Sequence, residues 1–159
     1  MFVCCGGTRS KVTGSVAGNS LVARDAYASL FDGRTLEILI GDHPRLCEDN
    51  REGKIAASST RLEIFVSDRN GFTPGNYEIG AQPEPYAAVN FTKRDASCES
   101  ELKRATSGMV SLHSVTLNHV TGTFDVMFDD QHLTGSIDVD VLGCEWTNDK
   151  IQDAKLRCQ

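Results

Sequence analysis

Three residues in one short segment, Asp129, Asp130 and His132, offer oxygen and nitrogen donors close enough in sequence to share a cation. Calcium takes about 6–8 oxygens, and a dedicated loop spaces its acids around a glycine. This segment lacks that spacing, so a polar hairpin turn is its expected role and no metal is assigned. Zinc fares no better: His43, His113, His119 and His132 fall at turns or strand ends, and no two stand at i, i+2, the spacing that puts two imidazoles on one strand face. For nucleophilic catalysis there is no Gly-x-Ser-x-Gly elbow, and Ser58-Ser59 has no identifiable base. Phosphate-cradling glycine loops are missing too. Asp125, Asp138 and Asp140 fall on one face of two strands as an acidic patch whose simplest use is solubility. Tyr27, Tyr77, Tyr86 and Trp146 have rings that stack on sugars elsewhere, but aromatics make up 7% of the chain and filling core or rim is their plainer use. No catalytic residue and no cofactor is assigned.

The cysteines carry more. Cys47, Cys98, Cys144 and Cys158 form no Cys-x-x-Cys pair, and their wide spacing lacks the paired knuckles of a tetrahedral zinc site. Isolated cysteines at strand or loop ends of a β-rich chain fit disulfides made in an oxidising compartment, with three pairings open. The alternative is four buried free thiols in a cytosolic protein. Cys4-Cys5, followed by a polar Gly/Thr/Ser/Lys tether, stands where a secreted lipoprotein is acylated, although the charged and hydrophobic parts of a signal peptide are missing. The expectation is a truncated signal with Cys4 or Cys5 as lipidation candidates; otherwise the pair is incidental.

The elements that would position these residues are strands. Val120-Thr121-Gly122-Thr123-Phe124-Asp125-Val126 is echoed thirteen positions later by Leu133-Thr134-Gly135-Ser136-Ile137-Asp138-Val139. Alternation places Val120, Gly122, Phe124, Val126 and Phe128 on one face, with Leu133, Gly135, Ile137 and Val139 beside them, and the Thr, Ser and Asp residues on the other. With Asp129-Asp130-Gln131-His132 as the hairpin loop, Phe124 stands opposite Ile137 and each glycine opposite a valine.

Val12-Thr13-Gly14-Ser15-Val16 is a third strand of this type. A long strand is expected from Leu21 to Phe31, an Asp32-Gly33 turn, and a return strand over Leu36 to Ile40. A short helical turn fits Leu46 to Lys54; strands fit Thr60 to Val66, Tyr77 to Ile79 and Ala87 to Thr92; residues 93–107 read as a long polar loop or a single helical turn. Val110 and Leu112 differ in parity from Val115 and Leu117, which a one-residue bulge near His113-Ser114 reconciles.

At 159 residues with net charge -6 and no Lys/Arg cluster, the chain is one domain's worth without a nucleic-acid footprint. No run approaches the ~20 apolar residues of a membrane span. The reading is an all-β antiparallel sandwich with little helix, Greek-key or jelly-roll order left open: residues 1–10 a signal remnant or lipid tether, 11–144 the sandwich, and 145–159 a polar tail with Trp146, Ile151 and Leu156 as anchors and Cys158 as a staple.

Val12-Thr13-Gly14-Ser15-Val16-x-Gly18, Leu46-Cys47, Pro74-Gly75-x-Tyr77, Cys98, Ser107-Gly108-x-Val110 and the doubled Thr-Gly strands ending in Cys144 together resemble a group of uncharacterised predicted lipoproteins of myxobacteria and their relatives. The likeness spans most of residues 11–144 and rests on short structural motifs. It implies an envelope-located all-β domain with no assigned catalytic residue. The chain departs from that pattern after Cys144. The expected function is a non-enzymatic, secreted or lipid-anchored envelope protein, binding or structural, with an envelope partner or a glycan. The alternative is a carbohydrate-binding module or hydrolase using a sheet-face cleft, in which Tyr86, Trp146 and the aspartates would converge.

Overall fold

The computed structural model describes residues 8–31, 33–80, 83–144 and 158. Among them are eleven strands and one short helix. One sheet runs in the order β2 (Asn19–Ser20), β1 (Lys11–Val16), β11 (Gln131–Asp140), β10 (His119–Phe128), β9 (Ser107–Val115), β6 (Gly75–Glu78); we call it sheet I. Sheet II runs β3 (Asp25–Phe31), β4 (Thr35–Gly41), β5 (Thr60–Ser67), β7 (Tyr86–Arg94), β8 (Ser100–Arg104). Neighbouring strands are antiparallel throughout both sheets. In sheet I the hairpin-linked β9, β10 and β11 are flanked by β1, which is separated from β9 in sequence by the whole of sheet II; this is the Greek-key relation.

The period-2 pattern of the sequence explains the packing. Leu36, Ile38, Ile40, Leu62, Ile64, Val66, Val89 and Phe91 face inward from sheet II, against Val110, Leu112, Val120, Phe124, Val126, Leu133, Ile137 and Val139 from sheet I. Across the interface Phe91 meets Phe128 edge to face, with ring centroids 6.2 Å apart. Beyond β11 the chain joins the other sheet's edge: Leu142 N–H donates to Ala28 O (2.8 Å) and the Ser29 hydroxyl to Leu142 O (3.1 Å). That covers the otherwise open side of β3.

The β10–β11 hairpin differs from the sequence expectation by two residues. Its loop is Asp129-Asp130 alone, with Phe128 paired to Gln131, because Asp129 adopts the left-handed conformation (φ 57°) that a tight reversal needs. The face assignment survives, since a shift of two preserves parity. The partners change: Gly135 lies opposite Phe124 and Gly122 opposite Ile137. A side chain at Gly135 would run into the Phe124 ring and the Lys11 carbonyl. The glycine is therefore the space into which the aromatic ring lies down. Gln131 is used twice, in the ladder and by accepting the Ala17 N–H (2.5 Å), which ties the β1–β2 turn to this hairpin.

The bulge stands where parity demanded it: Thr121 pairs with Ser114 and Gly122 with Leu112, leaving His113 as the extra residue. The long strand expected from Leu21 does not form. The chain crosses between sheets over residues 21–24, burying Leu21 and exposing Val22, and β3 begins at Asp25. Residues 93–107 are not one loop, because β8 pairs with β7 inside them. An edge strand exposed at every residue carries no apolar alternation to announce it.

Candidate functional site

The two outward faces carry the chain's polar chemistry. On sheet I, the expected acidic patch divides into two. At one end the imidazole of His119 lies between two carboxylates, Nε2 3.0 Å from Asp138 and Nδ1 2.9 Å from Asp140, with Arg9 Nε 3.2 Å from the same Asp138 oxygen. Nδ1 is hydrogen-bonded to Asp140, while Nε2 faces Asp138 as an ion-pair contact. About six residues along the strands, roughly 20 Å, His132 Nε2 meets Asp125 at 2.7 Å in a separate, exposed pair. Among the described residues no group of three His, Cys, Asp or Glu side chains is arranged to hold a metal ion.

Beside Asp125 the same face holds an open groove of about 560 Å³ between β6, β9 and β10. Ile79 and Met109 give it an apolar strip, Ser107, Ser111 and Thr123 line it with hydroxyls, and Glu78 and Asp125 supply carboxylates. The backbones come close here because Gly108 (φ 119°) has no side chain, which would strike the Asp125 carbonyl.

Sheet II's outward face is covered. Helix α1 (Leu46–Glu52) lies on it, and Gly41 allows that approach: Leu46 methyls sit 2.8 and 2.9 Å from where a side chain would begin. Tyr27, Leu39, Leu46, Cys47 and Cys144 form a second buried cluster beneath the helix. Asp25 Oδ2 accepts the first helical N–H, that of Leu46 (2.9 Å). Asn50 donates to Cys144 O (2.8 Å) and Arg51 to Gly143 O (3.1 Å). The Cys47–Cys144 disulfide closes the assembly, with Cα atoms 5.1 Å apart. A second disulfide, Cys98–Cys158 (Cα–Cα 5.8 Å), fixes the far end of the tail beside Ile55. Of the three pairings the sequence left open, the structure has this one. Cys4, Cys5, Trp146, Ile151 and Leu156 lie outside the described residues.

Under and beside α1 lies a charge cluster that sequence reading missed. Arg61 Nη2 pairs with Glu63 at 2.6 Å, both side chains largely buried. Burial first, and then the neighbouring Glu63 carboxylate, push the Glu37 carboxyl up to about 7, against the pull of Arg61. Burial and the adjacent Arg61 lower Arg94 to about 10. The Tyr27 hydroxyl is raised above its ordinary range, chiefly by burial and secondarily by Glu37. In the sequence these residues sit at the polar positions of alternating strands and read as solvated. The available signal was Leu39, an apolar residue at an outward position of β4, which marks a cover over that face.

Of the residues expected to converge for sugar chemistry, the described ones, Tyr86 and the aspartates, do not meet. Tyr77 is in the core with its hydroxyl donating to Thr73 O (2.7 Å), and Tyr27 is beneath the helix. Tyr86 points outward from sheet II, opposite the aspartates of sheet I. Ser59 is spent on the Ala56 carbonyl (2.7 Å) as a turn bond. Among the described residues no helix is long and apolar enough to cross a membrane. No family model, curated protein or solved structure matches this chain.

Proposed function

We propose that the chain is a non-catalytic binding protein of a bacterial cell envelope, exported, with a lipid anchor at Cys4 or Cys5 or released without one, and that it recognises a polar ligand such as an envelope glycan through the groove on sheet I. The observation that carries this reading is the groove itself: hydroxyls and two carboxylates over an apolar strip, the mix that contacts both the polar edges and the apolar faces of a hydroxylated ligand. The two disulfides support export, because such bonds persist in oxidising compartments. The short-motif resemblance to lipoproteins supports the envelope. Among the described residues the imidazoles of His119 and His132 meet carboxylates, the arrangement of paired surface groups rather than of a nucleophile and its base.

Two measurements test it. Intact-mass and non-reducing peptide analysis of protein from its host should find both disulfides and an acyl group or a processed start; a cytosolic protein with free thiols would end the envelope reading. Binding to a panel of envelope glycans, with Met109→Lys and Glu78→Gln placed in the groove, should weaken by about tenfold or more if one charge-assisted or well-packed contact is lost. Ligand binding unchanged in both variants would place recognition elsewhere.

A further inference from the structure

A small cavity lies between α1 and the outward face of sheet II, remote from the sheet I groove. It offers about 20 Å³ and is partly open to solvent, room for about one water-sized or monatomic occupant. Its walls include His43, Asp49, Asn50, Lys54, Arg61 and Arg94. Two guanidiniums meet there because Arg61 pairs with Thr92 across the ladder, which makes Arg94 its diagonal neighbour on the same face.

The charged groups around the cavity are unevenly paired. Lys54 is taken by Glu52 (2.7 Å) and Arg61 Nη2 by Glu63 (2.6 Å). Asp49 and Asp42 both sit on His43, at 3.8 and 3.7 Å. Arg94 has no carboxylate within ion-pair distance among the described residues, although it is half-buried and next to another cation. Two buried nitrogens of the same wall, Arg61 Nε and His43 Nδ1, find no hydrogen-bond partner. Leaving a buried donor unmatched is costly, and a half-buried guanidinium without a counter-charge more so.

We infer that this cavity is a binding site for a single monatomic anion of the chloride class, held between Arg61 and Arg94 and serving to lock α1 onto sheet II. Arg61 Nε and the Arg94 guanidinium are the donors. The volume suits a monatomic anion better than a polyatomic one. Asp49 on the same wall selects against a second negative charge and limits the site to weak, saturable occupancy.

The test uses the full-length oxidised protein. Thermal unfolding is followed as chloride or bromide replaces gluconate at constant ionic strength, and crystals grown in bromide are examined for anomalous scattering. A saturable rise in Tm with halide but not with gluconate, together with an anomalous peak between Arg61 and Arg94, is the expected result. Arg94→Gln removes a charged donor and should weaken the apparent halide affinity by about tenfold or more. If that variant fails to fold, Arg61→Lys keeps the charge, lacks the Nε donor and should show the same weakening. The exposed Arg104→Gln on the same sheet should leave the response intact. A Tm that depends only on ionic strength, or no bromide peak in the cavity, would mean that only water sits there and would overturn the assignment.

Discussion

The outward faces of the two sheets are written in the same alternating pattern and end in opposite environments. On sheet I the outward residues are solvated: His132 and Asp125 meet as exposed partners, and the groove beside them stays open. On sheet II a glycine at position 41 lets α1 settle against Leu39 and Tyr27, and Cys47–Cys144 bonds the helix to the chain that leaves β11. The same kinds of side chain then behave differently. A carboxylate such as Glu37 is pushed up to about 7 by burial. The lesson is that strand periodicity decides which face a residue takes, while a distant segment decides whether that face is wet.

The largest expected effect lies in the core that both faces share. Phe124→Ala removes a ring that packs over Gly135 and against the opposing sheet, and should cost about 3 to 5 kcal/mol. Urea unfolding measures it; a loss below about 1 kcal/mol would refute the inward assignment of that strand. Next, Cys47→Ala with Cys144→Ala breaks the covalent part of the sheet II cover. The bond spans 97 residues, and its loss should cost about 2 to 4 kcal/mol through the freed chain entropy. Protection of the α1 amides from hydrogen exchange should fall more than protection of β10 and β11. Equal loss in both places would show that the helix is not a separately held cover.

Much of this arrangement was legible in the sequence. The Thr-Gly strands, the bulge at His113 and the inward set of residues all follow from parity, a local property that needs no knowledge of the fold. The hairpin loop was misjudged because Gln131 and His132 look like turn residues, whereas Asp129 alone absorbs the left-handed conformation. Strand β8 stayed hidden because its pairing is made by backbone atoms and its side chains are all exposed. The charge cluster stayed hidden for the reason the comparison gives: nothing near Glu37, Arg61 or Arg94 in sequence says that residues 46–52 will lie over their sheet.

A smaller effect sharpens the comparison through pH. Glu37 has a folded-state value of about 7, above its ordinary 4.5. Between those values the folded chain keeps a proton that the unfolded chain has released, so stability falls as pH rises through this window. Below it both states are protonated and nothing is lost; above it the cost is fully present. Glu37→Gln should remove the dependence and be more stable than the parent at pH 8 by on the order of 1 to 2 kcal/mol, after discounting for partial solvent screening. The difference between the two proteins should vanish near pH 4. A gap that stays constant from pH 4 to 8 would mean that Glu37 titrates as if solvated.

The smallest expected effect comes from the open face and gives the comparison its other limb. Asp125 sits on β10 next to Phe124, and its carboxylate meets His132 at 2.7 Å with both side chains more than half exposed. Water solvates either partner nearly as well as the other does, and ordering two mobile side chains offsets what attraction remains. Asp125→Ala should therefore change stability by no more than about 0.5 kcal/mol, against the several expected at the adjacent position. The pair formed by Asp125→Ala and Phe124→Ala reads the alternation directly, one residue apart on one strand. A cost above about 1 kcal/mol at Asp125 would mean that the sheet I face is covered in solution, and the contrast with sheet II would then be one of degree rather than kind. Should ligand binding at the groove nonetheless be lost in Asp125→Ala with the fold intact, the carboxylate's use is recognition and not support.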